Sequence, residues 1–292
     1  MEVKALKFGG LTAKRPIVQG GMGVGVSLSS LAGNVAKCGG VGTISGVHPG
    51  YREADFKENP FRANLRAIGN ELEKAKEIAN GGIIGFNFMT VMNHYDEYVK
   101  EAIAAGADFI VSGAGLPVNL AKYAAGTRAA ILPIVSSARA LKLIVKQWQR
   151  ADRLPDAVVV EGPLAGGHLG YPYGHLVDGT FDTLEDSLVD VVDYVRELEE
   201  KNGVKIPVIA GGGVRNHADV ERLMALGASG VQVGTKFVAT EECDAAPAFK
   251  QAYLRSRKED VQLIESPVGL AARAIRNSFL EKVEKQGRIP VQ

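Results

Sequence analysis

Eight short apolar runs, at 16–19, 41–45, 83–89, 108–112, 130–135, 157–160, 207–210 and 231–234, recur along this chain. Stretches with helical character separate them, at 29–37, 64–79, 95–105, 118–124, 138–150, 183–201 and 218–226. The apolar runs are short and rich in Val and Ile, so they read as strands buried on both faces. Strands of that kind pair in parallel and are joined by crossover helices. Gly-Ala stops, as in AAGAD at 104–108 and ALGAS at 225–229, mark the returns from helix to strand. Eight such units predict an α/β chain closed into a (β/α)8 TIM barrel rather than an open, doubly wound sheet. With 292 residues, 46% of them hydrophobic, the chain has the material for so large a core. No linker or change of composition divides it, so a single domain over residues 1–292 is expected.

Three stretches exceed the minimal barrel. Residues 46–61, GVHPGYREADFKENPF, form a polar insertion after the second strand. Residues 169–183, LGYPYGHLVDGTFDT, form a long aromatic loop after the sixth. Both leave the carboxyl ends of strands, the face on which barrel enzymes carry their sites. Tyr171, Tyr173 and Phe181 either cover a substrate pocket or pack the loop onto the barrel rim. From about residue 247 to 292 the expectation is a C-terminal extension of helices outside the barrel.

The strand ends carry the chemistry. The segment VVVEGPLAGGHLG, 158–170, places an acid, Glu161, at a strand end and follows it with a glycine-rich turn that presents His168. Gly162, Gly166 and Gly167 remove side-chain bulk where a flat ligand could approach the backbone. In 205–235, Gly211, Gly212 and Gly213 end one strand, Asn216 caps the following helix, Gly227 stops it, and Gly234-Thr235 closes the next strand. Glycine-ended strands entering helices expose backbone N–H groups to an anion, and barrels hold phosphate in the loops after their last two strands. The spacing matches neither a P-loop nor the dinucleotide pattern G-x-G-x-x-G. A mononucleotide phosphate suits it better. In 15–45 the first strand ends in Gly20-Gly21-Met22; Met22 is either core filler or a contact for an aromatic ring.

Among the five histidines, His168 stands out. His48 and His94 read as loop or surface residues, His217 as part of a helix start, and His175 as a loop residue. A histidine at a strand end titrates near neutrality and suits proton transfer. The net charge of +1 with scattered Lys and Arg gives no nucleic-acid footprint. No apolar stretch suits a membrane span, and the start MEVKALKFGG lacks the apolar core of a leader. Cys38 and Cys243 lie far apart without metal-ligand spacing, which points to a reduced, cytoplasmic protein without a metal.

Seven motifs fall in order: PIVQGGM (16–22), GFN (85–87), SGAG (112–115), EGPLAGGHLG (161–170), IPVIAGGGV (206–214), GVQVGTKF (230–237) and ARAIRN (272–277). Together they resemble the FMN-dependent family that contains nitronate monooxygenases and enoyl-ACP reductase II. The resemblance implies a catalytic role for His168. It also implies an FMN site: Gly20, Gly21 and Met22 along the flavin ring, Asn87 on its polar side, Glu161, Gly166, Gly167 and Gln232 near the cofactor, and Gly212, Gly213, Gly234 and Thr235 around the phosphate. For Glu161 a solvated carboxylate, and for Gln232 a packed amide, stay open as alternatives. Nitronate oxidation with O2 is the first functional expectation. NAD(P)H-dependent reduction of an enoyl thioester, with an acyl carrier protein as partner, is the second. A non-catalytic flavin- or phosphate-binding barrel is the third. A small-molecule substrate and a homodimer are expected; nucleic acid and membrane are not.

Overall fold

A computed structural model describes residues 4–266 and 268–287. It opens with a hairpin, β1 (Leu6–Phe8) and β2 (Leu11–Ala13), that the periodicity of the sequence does not reveal. The alternating units follow: β3 (Ile17–Gln19), α1 (Ser29–Lys37), β4 (Val41–Ser45), α2 (Pro60–Ala79), β5 (Ile83–Met89), α3 (Tyr95–Ala104), β6 (Phe109–Gly113), α4 (Leu120–Tyr123), β7 (Ala130–Val135), α5 (Ala138–Trp148) and β8 (Val158–Glu161). After a two-residue strand β9 (Gly167–His168) and a short helix α6 (Tyr173–Asp178) come α7 (Leu184–Asn202), β10 (Val208–Gly211), α8 (His217–Ala225), β11 (Gly230–Val233) and α9 (Thr235–Val238). The chain ends in α10 (Pro247–Arg255), β12 (Val261–Glu265), β13 (Ala271–Ile275) and α11 (Ser278–Gln286).

Each of the eight runs expected as a strand forms one, within a residue or so at either end. They close into a barrel in the order β10-β11-β3-β4-β5-β6-β7-β8, and every adjacent pair is parallel. Alternation along each strand sorts the side chains into two cores. Ile84, Phe86, Phe88, Ile110, Val158, Val160 and Val231 point outward beneath the helices, where Trp148, Leu188 and Leu72 pack against them. Val18, Val41, Phe109, Leu132, Val159 and Ile209 point inward. The hairpin plugs the amino end of the barrel. Leu6, Phe8 and Ala13 join the inner cluster, and the Phe8 ring meets Phe109 edge-on at 6.0 Å. Each fully buried large side chain contributes roughly 1.5–3 kcal/mol relative to exposure.

Helix ends follow the sequence signals. Asn216 caps α8 by accepting from the Asp219 amide at 3.0 Å, and Asp219 reaches back to complete a capping box. Gly227 after α8 has φ +104°, which a side chain would strain. Thr183 and Asp186 make the same reciprocal cap on α7.

The C-terminal extension departs from the expectation. Helices α10 and α11 are present, but between them β12 and β13 pair antiparallel, and β13 pairs with β9 in a three-stranded sheet. The Ala-rich run 271–275 scores as helix by local preference. The exposed edge at 167–168 supplies a ladder partner, and tertiary pairing overrides that preference. Residues 1–3, 267 and 288–292 of the expected single domain and extension lie outside the described residues.

Candidate active site

The uppermost inward-facing layer of the barrel breaks the apolar pattern. Phe86 and Phe88 face outward, so Asn87 between them faces in. By the same alternation Glu161, two residues beyond the inward Val159, and Gln232, after the outward Val231, face in. Registers align these positions: Gly211 lies opposite both Glu161 and Gln232, and Ser45 lies opposite Asn87. The side chains of Asn87, Glu161 and Gln232 make no hydrogen bond among the described residues. A polar layer thus caps an apolar barrel at its carboxyl end. Gln19, fully buried beside it, ties β3 to β4: its amide nitrogen donates to the Thr43 carbonyl at 2.9 Å, and its oxygen accepts from the Thr43 amide at 3.0 Å.

The loops after the strands converge on this layer. Gly20 packs against Gln232, whose Cγ would stand 3.5 Å from a Cβ at position 20. Gly21 lies directly against Asn87. A Cβ at Gly234 would meet Met22 Sδ at 3.4 Å, which places Met22 beside the β11 loop while it also packs against the small cluster of Val26, Val238 and Cys243. Met22 therefore serves as core filler and as part of the rim. Gly212 (φ +100°) and Gly213 (φ +88°) fold against the loop after β8, with Gly162 and Leu164 as their neighbours. A Cβ at Gly166 would meet only Thr235 Oγ1, at 3.9 Å, and one at Gly167 would meet nothing within 4 Å. All thirteen residues singled out from the sequence, His168 included, lie on this rim or on the polar layer under it.

His168 sits on β9 opposite Ala272 of β13. It is half-buried, and desolvation holds its pKa below the ordinary 6.5, which favours the neutral imidazole at pH 7. Burial acts in the opposite sense on Glu161, whose carboxyl is pushed up to about 7. Part of Glu161 reaches the surface, but it faces inward and no cation or amide among the described residues offsets the desolvation. A largely neutral imidazole and a carboxyl titrating near neutrality thus lie at one barrel mouth, a pairing suited to proton transfer.

The aromatic loop after His168 does not form a simple cover. Tyr171 and Phe181 meet edge-on at 6.3 Å and pack with Ala165, Leu169, Leu176, Ala271 and Leu263 into a small second core. Tyr171 also donates from its hydroxyl to the Glu161 carbonyl at 3.3 Å. Tyr173 alone of the three is exposed. His48 meets Phe56 edge-on, and His94 packs with Phe61 and Tyr98, both histidines in exposed loop positions. His217 lies on the exposed start of α8 beside Glu221.

Sequence inspection overlooks Arg273 and Gln19. Arg273 interrupts an alanine run, and Gln19 interrupts the Val-Ile pattern of a strand. Each is the polar residue in an otherwise apolar element, and that is the signal that could have marked them.

The fold is that of the (β/α)8 barrels, with glycine-ended loops, an inward polar layer and His168 gathered at the carboxyl-end mouth. Residues 4–292 match the nitronate monooxygenase family profile. The probable nitronate monooxygenase of Staphylococcus saprophyticus is 25% identical, over 98% of this chain and 82% of its own. That of Bacillus subtilis is also 25% identical, over 93% and 79%. In structure the chain is similar to FabK from Thermotoga maritima, with a TM-score of 0.72 at 26% identity, covering 94% of this chain and 75% of that one. A nitroalkane oxidase from Streptomyces ansochromogenes shares the fold, with a TM-score of 0.67 at 22% identity over 92% and 78%. The chain belongs to the nitronate monooxygenase family, and it is an FMN-dependent oxidoreductase. No helix among the described residues is long and apolar enough to cross a membrane.

Proposed function

We propose that this protein oxidises alkyl nitronates with O2, using FMN held at the barrel mouth and His168 for proton handling. The observation that carries the reading is the convergence of three glycine-ended loops, after β8, β10 and β11, beside His168 and over an inward polar layer. The residues fit a flavin mononucleotide. Gly166 and Gly167 border open space, and the amides of Gly212, Gly213 and Gly234 find no acceptor among the described residues. Such amides suit phosphate oxygens. Gly20, Gly21 and Met22 would lie along the ring system, Thr235 would add a hydroxyl to the phosphate, and Asn87, Glu161 and Gln232 would face the ring's polar groups.

Bound there, the flavin supplies an electron acceptor that O2 regenerates. The protein's own part is to place and discharge the substrate. A neutral His168 can take the proton from the carbon beside a nitro group, and the resulting imidazolium steadies the negative charge left on the nitro oxygens. A substrate already present as nitronate has no such proton to give, and the neutral imidazole can then only donate an N–H hydrogen bond to a nitro oxygen. Glu161, protonated below about pH 7, adds no negative charge to a site that must accept an anion.

The second reading is reduction of an enoyl thioester at the expense of NAD(P)H, with an acyl carrier protein presenting the substrate. It is favoured by the likeness to FabK. In that chemistry His168 would deliver a proton after hydride arrives. Both readings place the enzyme in the cytoplasm, in keeping with the unpaired Cys38 and Cys243. The test is twofold. Denaturation of the purified protein should release FMN rather than FAD, and oxygen uptake should follow addition of an alkyl nitronate. Stoichiometric FAD, or no oxygen uptake with any nitronate, would defeat the proposal.

A further inference from the structure

Arg273 lies in the middle of β13, opposite Gly167 in the ladder, and points its guanidinium at the loop after β8. One nitrogen, Nη1, donates to the Pro163 carbonyl at 2.6 Å and to the Ala165 carbonyl at 2.8 Å. Neither carbonyl belongs to a helix or a strand, and the loop's own closure is a single turn bond from the Ala165 amide to Gly162 at 3.2 Å. In a trans peptide the N–H of the next residue points away from the carbonyl. Drawing the Ala165 carbonyl toward β13 therefore turns the Gly166 amide away from the C-terminal sheet. The guanidinium is half-buried, and desolvation lowers its pKa without any carboxylate among the described residues to offset it. A cation buried against neutral carbonyls alone is costly, and packing needs would be met more cheaply by an apolar side chain.

The ladder continues the same constraint into the histidine. Ala272 pairs with His168, and the Leu169 amide donates to the Ala271 carbonyl at 2.8 Å. Residues 271–273 thus fix the polypeptide around Gly166-Gly167, where an added Cβ would meet almost nothing.

We infer that Arg273 is a positioning residue for the active site, one that orients the 163–166 loop and, through β13, the approach to His168. This rests on the reading of that loop as the flavin-facing wall. Arg273 acts through the loop, and its uncompensated positive charge further favours an anion at the rim.

The test uses full-length protein with Arg273→Met and Arg273→Lys, read by hydrogen exchange, flavin titration and kinetics. In Arg273→Met, amides of residues 164–170 should exchange about 10-fold faster or more, while those of 83–89 in β5 stay as in the wild type. FMN should bind roughly 10- to 100-fold more weakly, a part of the worth of the two charge-assisted hydrogen bonds that hold the loop. On saturation with FMN, kcat should fall more than KM changes. Arg273→Lys, which keeps the charge and can still donate, should recover part of each effect, and it carries the test alone if the Met variant does not fold. Unchanged exchange over 164–170, or an equal rise throughout the barrel, would overturn the inference. If the wild type binds no flavin, the functional reading fails on that result alone, and the exchange comparison still decides whether Arg273 positions the loop.

Discussion

Gly21 lies against Asn87 across the mouth of the barrel, so close that a methyl group at position 21 would overlap the Asn87 Cβ. The loop after the first barrel strand can reach the polar layer only because residue 21 has no side chain. Gly21→Ala should therefore displace Asn87 and cost about 1–3 kcal/mol in overpacking. The expected outcome is a folded protein with reduced flavin content, checked by circular dichroism and by the ratio of flavin to protein absorbance. Full flavin content in that variant would detach Asn87 from cofactor binding.

His168→Asn should keep the fold and the flavin spectrum and lower kcat/KM by roughly 10²–10⁴-fold on a neutral nitroalkane. The loss on a pre-formed nitronate should be smaller, since no proton need be removed. Desolvation depresses the His168 pKa, so the protonated, inactive form gains ground only below the ordinary 6.5. The acid limb of the wild-type pH profile should lie there, and it should be flat in the variant. Equal activity of both enzymes on both substrates would make the histidine structural.

Glu161 carries a linkage prediction of opposite sign. Its folded pKa of about 7 stands above the ordinary 4.5, so the folded state holds the proton more tightly than the unfolded one. The stability it contributes is complete below pH 4.5 and is lost as pH rises through about 7. Glu161→Gln should leave the melting temperature unchanged near pH 4.5 and raise stability at pH 8, by at most roughly 3 kcal/mol. Thermal melts at the two pH values test this; an equal effect at both would show that the carboxyl is not desolvated.

The loop after His168 separates into parts with different duties. Tyr171 and Phe181 are built into the second core, and Phe181→Ala should cost about 1–3 kcal/mol of stability. Tyr173 is exposed on α6. Tyr173→Ala should leave the melting temperature as it is, and a raised KM would mark it as the part of the loop that touches substrate. Melting curves and steady-state kinetics on the two variants distinguish the duties.

Barrel architecture was legible in this sequence because each strand is a short, mostly apolar run, and most of them end at a glycine, which periodicity registers directly. The polar layer was legible for a related reason: Glu161 and Gln232 are polar residues at the ends of buried strands. The C-terminal strands were not, since Ala271, Ala272 and Ala274 favour helix locally and become strand only against the edge at Gly167-His168. The hairpin of β1 and β2 escaped notice because three-residue strands carry no readable period. The division of labour between Tyr171 and Tyr173 depends on which ring meets Ala271 and Leu263, which are distant in sequence.

The most direct measurement is anaerobic stopped-flow mixing of the flavin-loaded protein with an alkyl nitronate and, separately, with NADH and NADPH. Nitronate oxidation predicts rapid loss of the flavin absorbance on mixing with the nitronate and its return on admitting O2, with little change from either nicotinamide. Rapid bleaching by NADH or NADPH, with none by the nitronate, would contradict the assignment and favour the reductase.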